Sequence, residues 1–290
     1  MTTEPASTEG TLLVPVANEE TADRQLQTAI DIASARSYRI RLLYVLDVPS
    51  QLSLQDGRRY LLEDETERML EEATQTVESE GIPVDSRIRM ARGVAKGIAG
   101  AVGAYDADAV LMGWRGRPPR QDIVLGNHLD RVLRTAECDV LVERIKTPRP
   151  DVSEILVPVV GGPHDEFATE TAASIARSQN ASVTLLHVHE SDEPELTRAE
   201  GESLLGELSA QFEEDGAIER KLVESDDVAG TITDWTTDHD VTVLGVSRGG
   251  LVQRKLLGTV SEAVGRHAAG SVILAKRYDP VPSRLKRLFS

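Results

Sequence analysis

The chain has 290 residues, more than one typical hydrophobic core organises, and suits two domains of average size. Its 48 acidic residues against 32 basic ones leave a net charge of −16, which argues against non-specific nucleic-acid binding. No apolar run reaches membrane-helix length and Met1 to Gly10 has no apolar leader core, so the expectation is a cytoplasmic protein with no transmembrane segment. Residues 1–10 are small and polar and are expected to be disordered.

Leu12 to Val16 is a short apolar run, as a strand buried on both faces requires. From Glu19 to Ala35 the apolar residues Ala22, Leu26, Ala29, Ile30 and Ala33 have helical spacing, and Ile40 to Leu46 predicts a second buried strand. A charged helix is expected from about Arg59 to Glu80, with Leu62, Met69, Ala73 and Val77 on one face and Gly81 ending it. Val84 to Met90 predicts an edge strand, and Val94 to Tyr105 a short helix. Ala107 to Gly113 is a central strand that runs into a long glycine-containing loop. Asn127 to Thr135 is the next helix, and Asp139 to Val142 a fifth strand. This alternation predicts a parallel sheet with helices on both faces, an α/β, Rossmann-like fold.

After the stiff hinge Lys146 to Pro150 the pattern begins again. Ile155 to Val159 repeats Leu12 to Val16 at an offset of 143 (158 − 15 for the prolines), and Leu185 to Val188 repeats Leu42 to Val45. Val243-Leu244-Gly245 repeats Leu111-Met112-Gly113 at an offset of 132, so the second copy has lost 11 residues (143 − 132), mostly after its second strand. The expected division is a disordered stretch 1–10, a first domain 11–146, a linker 147–153, a second domain 154–277 and a basic tail 278–290. Each copy closes on an apolar strand, Val140 to Val142 and Val272 to Leu274. These are expected to meet in a pseudo-dimer within the chain or in a homodimer.

Read as chemistry, Gly113, Gly116, Gly126 and Asn127 make a candidate phosphate cradle. The glycines permit close approach of the backbone, and Asn127 opens a helix. The spacing Gly113-x2-Gly116-x9-Gly126-Asn127, after Asp108 and before a Val-Leu-Val strand, resembles the universal stress protein family, over nearly the whole chain and twice in tandem. The resemblance implies a five-stranded parallel sheet in each domain, ATP or AMP as ligand, Mg2+ only alongside ATP, and regulation of a protein partner as yet unknown. It places Gly113, Gly116, Gly126 and Asn127 at the phosphates and Val45 in the adenine pocket. The second-domain counterparts are Val188, Gly245, Gly258 and Thr259.

Three departures stand against it. The family's nucleotide binders carry an aspartate after the first strand to hold the ribose. That position is Ala17 in one copy and Val160 in the other, at a cost of about 1 to 3 kcal/mol unless a neighbour such as Asn18 replaces it. Asn127 stands where serine or threonine is expected. Arg248 stands where the second glycine of the second copy belongs, with Gly249-Gly250 one residue late. The rival reading is therefore a nucleotide-free module regulating a transporter or a cytosolic partner.

The remaining residues point away from a dedicated enzyme. No Gly-x-Ser-x-Gly elbow or His-Glu-x-x-His pattern occurs, which leaves a slow ATPase or phosphotransfer activity open. Cys138 reads as a small core residue, and Trp114 and Trp235 as packing. His187 and His189, with His164, lack the carboxylate or thiolate spacing of a metal site, so no metal is expected. Arg115, Arg117 and Arg120 are candidates for steering an anion to the first loop. The only lysines are Lys96, Lys146, Lys221, Lys255, Lys276 and Lys286; an acidic, arginine-biased surface of this kind suits a halophilic cell. In the basic tail, Arg284, Lys286 and Arg287 beside Leu285, Leu288 and Phe289 form either a docking helix or a segment folded back on the acidic domain.

Overall fold

A computed structural model describes residues 8–114, 127–144, 151–190, 197–212, 217–246 and 259–279. The first half runs β1 (Gly10–Pro15), α1 (Glu19–Arg36), β2 (Tyr38–Asp47), α2 (Leu54–Leu61), α3 (Asp64–Ser79), β3 (Val84–Ala91), α4 (Val94–Ala104), β4 (Ala109–Trp114), α5 (Asn127–Thr135) and β5 (Asp139–Arg144). The second half runs β6 (Glu154–Pro158), α6 (Pro163–Gln179), β7 (Ser182–His189), α7 (Arg198–Ser209), β8 (Ile218–Glu224), α8 (Val228–Trp235), β9 (Val241–Gly245), α9 (Thr259–His267) and β10 (Ser271–Lys276). The strands form one ten-stranded sheet in the order β3-β2-β1-β4-β5-β10-β9-β6-β7-β8. All neighbours are parallel except β5 and β10, which run antiparallel with Leu141 opposite Ala275 and Leu274 opposite Val142. The two closing strands therefore meet within one chain.

One face of the sheet is covered by α1, α3, α6 and α7 and the other by α4, α5, α8 and α9. Each of the two core layers runs unbroken through both halves. Ala22, Leu26, Ala29, Ile30 and Ala33 are all buried, as their spacing on α1 requires. The same device opens the central strand of each half. Asp108 Oδ2 accepts the Thr11 N–H at 2.8 Å, and Asp240 Oδ2 accepts those of Ser153 and Glu154 at 2.8 and 3.0 Å. These carboxylates satisfy donors of β1 and β6 on the side where pairing with the central strand has not yet begun.

Four expectations need correction. The charged helix starting near Arg59 is two helices. Ser53 caps α2 by accepting the Asp56 N–H, and the chain then turns extended at Leu62 before α3 starts. Leu62 lies in that break, and the buried stripe of α3 is Met69, Leu70, Ala73 and Val77. In the second copy α7 is the one α-helix of this connection among the described residues. The strand after it is offset by 134 (218 − 84), so nine of the 11 lost residues fall here (143 − 134), at the place of α2. Order begins before Thr11, because Glu9 donates its N–H to Ser37 O and Gly10 already belongs to β1. Val152 and Ser153, expected in the linker, are held: Val152 is buried in the core and Ser153 is tied to Asp240. The hinge 146–150 and residues 1–7 lie outside the described residues.

Candidate functional site

The sheet order of the first half reverses direction between β1 and β4, and here the two strands share only two paired positions, Leu12 with Ala109 and Leu13 with Val110. Beyond those they part. The buried amide of Gln25 on α1 bridges the gap, donating to Leu111 O at 2.6 Å and Pro15 O at 3.1 Å. A crevice at the carboxyl ends of such strands is where open α/β sheets bind ligands. A cavity of about 590 Å³ opens at this point, with Pro15, Val16 and Ala17 on one side and Leu43 to Asp47 on another. Val94, Ile98, Met112, Gly113, His128 and Leu129 complete the wall, and Leu61 of α2 lines it as well. The lining is mostly apolar with a carboxylate, an imidazole and glycine backbone at its margins, the balance expected of a pocket for a flat organic ligand.

Val45 and Gly113, expected at the adenine and phosphates, both line this cavity. Val45 is held by α4, which passes so close that a Cβ at Gly97 would run into its side chain. Asp47, which the sequence reading missed, positions the start of α4: its Oδ1 accepts the Gly93 N–H at 2.8 Å, and Gly93 takes φ of 99°. No local pattern announces it, because the residue it serves lies 46 positions further along the chain. Asn127 begins α5. Gly116, Gly126 and the arginines of the first loop lie outside the described residues, as do the side chain of Asn127, Arg248, Gly249, Gly250 and Gly258.

The second half is built differently at the equivalent place. Val188 is buried in the core, Val160 is 52% exposed, and α9 starts at Thr259. At Gly245 a Cβ would overlap the carboxylate of Asp165 and the backbone of α6, so this glycine makes room for a group of the protein itself. Asp165 Oδ2 accepts the N–H groups of Val160 and Gly161 at 2.7 and 2.8 Å. The corresponding residue of the first copy is Ala22 (165 − 143). A carboxylate beside the first glycine opposes an anionic ligand in the second cleft, and nothing in the glycine spacing announces it.

Burial pushes the Asp165 carboxyl up to about 6; the two backbone hydrogen bonds pull it down and Glu166 adds to the rise. A carboxyl raised in the folded state favours folding when protonated. Its stabilising contribution is therefore whole below about pH 4 and is lost as pH rises through about 6, by about 3 kcal/mol. Urea titrations of the parent chain and Asp165→Asn should accordingly diverge between these pH values, the parent losing stability relative to the variant. A difference independent of pH would show an ordinary carboxyl.

Two of the histidines weighed above hydrogen-bond to the protein's own backbone. His187 Nδ1 lies 2.9 Å from Val159 O and so carries its proton there, while His164 Nδ1 accepts the Arg277 N–H at 3.2 Å. Trp114 is buried in the core and Trp235 stacks near His239. Cys138 is buried, which pushes its thiol up to about 12. At the start of the basic tail, Arg277 pairs with Asp139 and Glu170, and the Tyr278 N–H donates to Asp139. This much folds back on the protein's own acids; residues 280–290 lie outside the described residues. Among the described residues no helix is long and apolar enough to cross a membrane.

A family model, the universal stress protein family, matches residues 10–144 and again 152–276. A universal stress protein of Mycobacterium tuberculosis is 25% identical over 272 residues, covering 92% of this chain and 96% of that protein. A Na(+)/H(+) antiporter of Synechocystis is 24% identical over 276 residues, which are 93% of this chain and 39% of the antiporter. Among solved structures, a universal stress protein from Archaeoglobus fulgidus has the same fold, with a TM-score of 0.70 at 18% identity over 94% of this chain and 98% of that one. The duplicated sheet thus has a family to account for it: the chain belongs to the universal stress protein family and carries that family's domain twice in tandem.

Proposed function

We propose that the first domain binds ATP or AMP in the cavity between β1, β2 and β4, and that the protein is a nucleotide-responsive regulator of a protein partner. The observation that carries this is the cavity itself. It opens at the strand-order reversal and is lined by Val45 and Gly113. In this reading the second domain is nucleotide-free, because Asp165 fills the space beside Gly245. Mg2+ enters only with ATP. The acidic, lysine-poor composition extends the proposal to a salt-rich cytoplasm.

Mass spectrometry of the denatured purified protein tests for co-purified ATP or AMP, and calorimetry measures their affinity. Gly116→Val should abolish binding without unfolding the chain. Ala17 is exposed at the cavity wall, so Ala17→Asp restores a ribose acceptor at no packing cost and should tighten binding about tenfold. An unchanged affinity in Ala17→Asp would show that the sugar lies elsewhere. If the parent chain binds neither nucleotide, the second reading takes over: a nucleotide-free module acting on a transporter, which the similarity to part of a Na(+)/H(+) antiporter supports.

A further inference from the structure

Far from the nucleotide cavity, a second pocket of about 360 Å³ lies where the halves meet. Its lining comes from Glu9, Arg36 and Tyr38 of the first half and Glu170, Arg177 and Gln211 of the second. It belongs to the packing of α1 against α6, and that packing is pseudo-symmetric. Residue 36 corresponds to 179 and residue 31 to 174 at the repeat offset (36 + 143 and 31 + 143). At one end Gln179 Nε2 and Ser178 Oγ donate to the fully buried carboxylate of Asp31 at 2.6 and 2.9 Å. At the other end a guanidinium replaces the amide and a hydroxyl replaces the carboxylate: Arg36 Nε donates to Ser174 Oγ at 3.0 Å. The charged acceptor has been replaced by a neutral one and the donor strengthened.

The consequence is visible in the polar atoms left over. Arg36 Nη2 is buried with no hydrogen-bond acceptor among the described residues, and Gln211 Oε1 on the same pocket is buried with no donor. Glu170 does not make up the deficit. Its Oε2 faces Arg36 Nη2 at 3.9 Å, an ion pair beyond hydrogen-bond length, while its Oε1 accepts from Arg277, which with Arg36 stacks on Phe167. Arg177 stands exposed at the rim.

We propose that this pocket binds a small dicarboxylate. One carboxylate completes Arg36 as Asp31 completes the opposite end, and the second pairs with Arg177. Guanidinium geometry favours a planar carboxylate, which it holds through two parallel bonds. Glu9 and Glu170 on the same wall oppose any anion, so the two guanidiniums must outweigh them. A ligand seated there touches both halves and stabilises their association by mass action.

The test uses the full chain and succinate, with sodium chloride holding ionic strength constant. Calorimetry should show one succinate per chain, and saturation should raise the melting temperature. Arg177→Gln, exposed and therefore harmless to folding, should weaken succinate about tenfold and leave the melting temperature without ligand unchanged. Arg36→Gln should weaken it at least as much. Gly116→Val, aimed at the nucleotide cavity, should bind succinate as the parent does. The proposal is overturned if succinate gives no saturable heat, if Arg177→Gln binds it as tightly as the parent, or if inorganic phosphate displaces it with equal affinity.

Discussion

Replacing Arg144 by leucine should remove about 3 to 5 kcal/mol from the stability of the whole chain. Arg144 closes β5 at the junction and is 3% exposed. From there it reaches into the second half: Nη1 donates to Gly265 O at 2.6 Å, and Nη2 donates to Ala268 O and Gly270 O at 2.6 and 2.9 Å. These carbonyls lie at the carboxyl end of α9 and in the turn after it, where the helix dipole is negative and backbone acceptors lack partners. Burial lowers the guanidinium pKa, but an arginine stays charged, so the carbonyls must carry the cost of its desolvation. Leucine fills much of the space and supplies none of the donors. A urea midpoint lowered by the expected amount at an unchanged slope would bear this out; a loss below about 1 kcal/mol would show that water replaces the guanidinium freely. Arg144→Lys should recover only part, since one ammonium cannot span all three acceptors.

A proline at Leu141 should do comparable damage by another route. Leu141 is almost fully buried at the centre of β5, opposite Leu111 on one side and Ala275 on the other. Proline removes the N–H, fixes φ and costs about 3 kcal/mol or more inside a sheet. Because β5 and β10 are the seam, the break should also split unfolding into two transitions, one for each half. Leu141→Ala is the control. It leaves the ladder intact and should lower stability by about 2 to 5 kcal/mol through the cavity it creates, with a single transition retained. If the proline variant melts in one step, and no lower than the alanine variant, the seam does not hold the halves together.

The architecture was legible because its signals are local. Apolar runs bounded by prolines and glycines mark β1 and β6, helical spacing marks α1, and the bounds expected for the helix Asn127–Thr135 coincide with those of α5. The meeting of β5 and β10 followed from two apolar strands that each left one edge open in its own half. What escaped depends on contacts distant in sequence. The break between α2 and α3 leaves α2 against β2, where a Cβ on Gly57 would strike Val48, while α3 turns its stripe to α1; no periodicity within 59–80 encodes that bend. Asp47 serves a helix that starts far along the chain, and Asp165 meets Gly245 only because α6 crosses the end of β9. Of the candidate nucleotide residues, Val45 and Gly113 converge on one cavity, whereas Val188 is buried in the core and Gly245 sits beside a carboxylate that spacing alone does not reveal.

The antiparallel seam between β5 and β10 also changes how the assembly responds to dilution. Two separate domains meeting through this edge would dissociate as their concentration fell. Halves joined by one chain see each other at an effective concentration of about millimolar whatever the amount of protein present. Pairing is therefore complete even at a few copies per cell. The edge that each half offers is already taken by the other, which keeps foreign single-domain relatives from exchanging into the pair. Nor do the two ends of the α1 and α6 contact have to match, as they must when two identical subunits meet across a dyad. A substitution such as arginine at position 36 is expressed once and not twice, so any ligand of that contact binds with a stoichiometry of one per molecule and without cooperativity between equivalent sites.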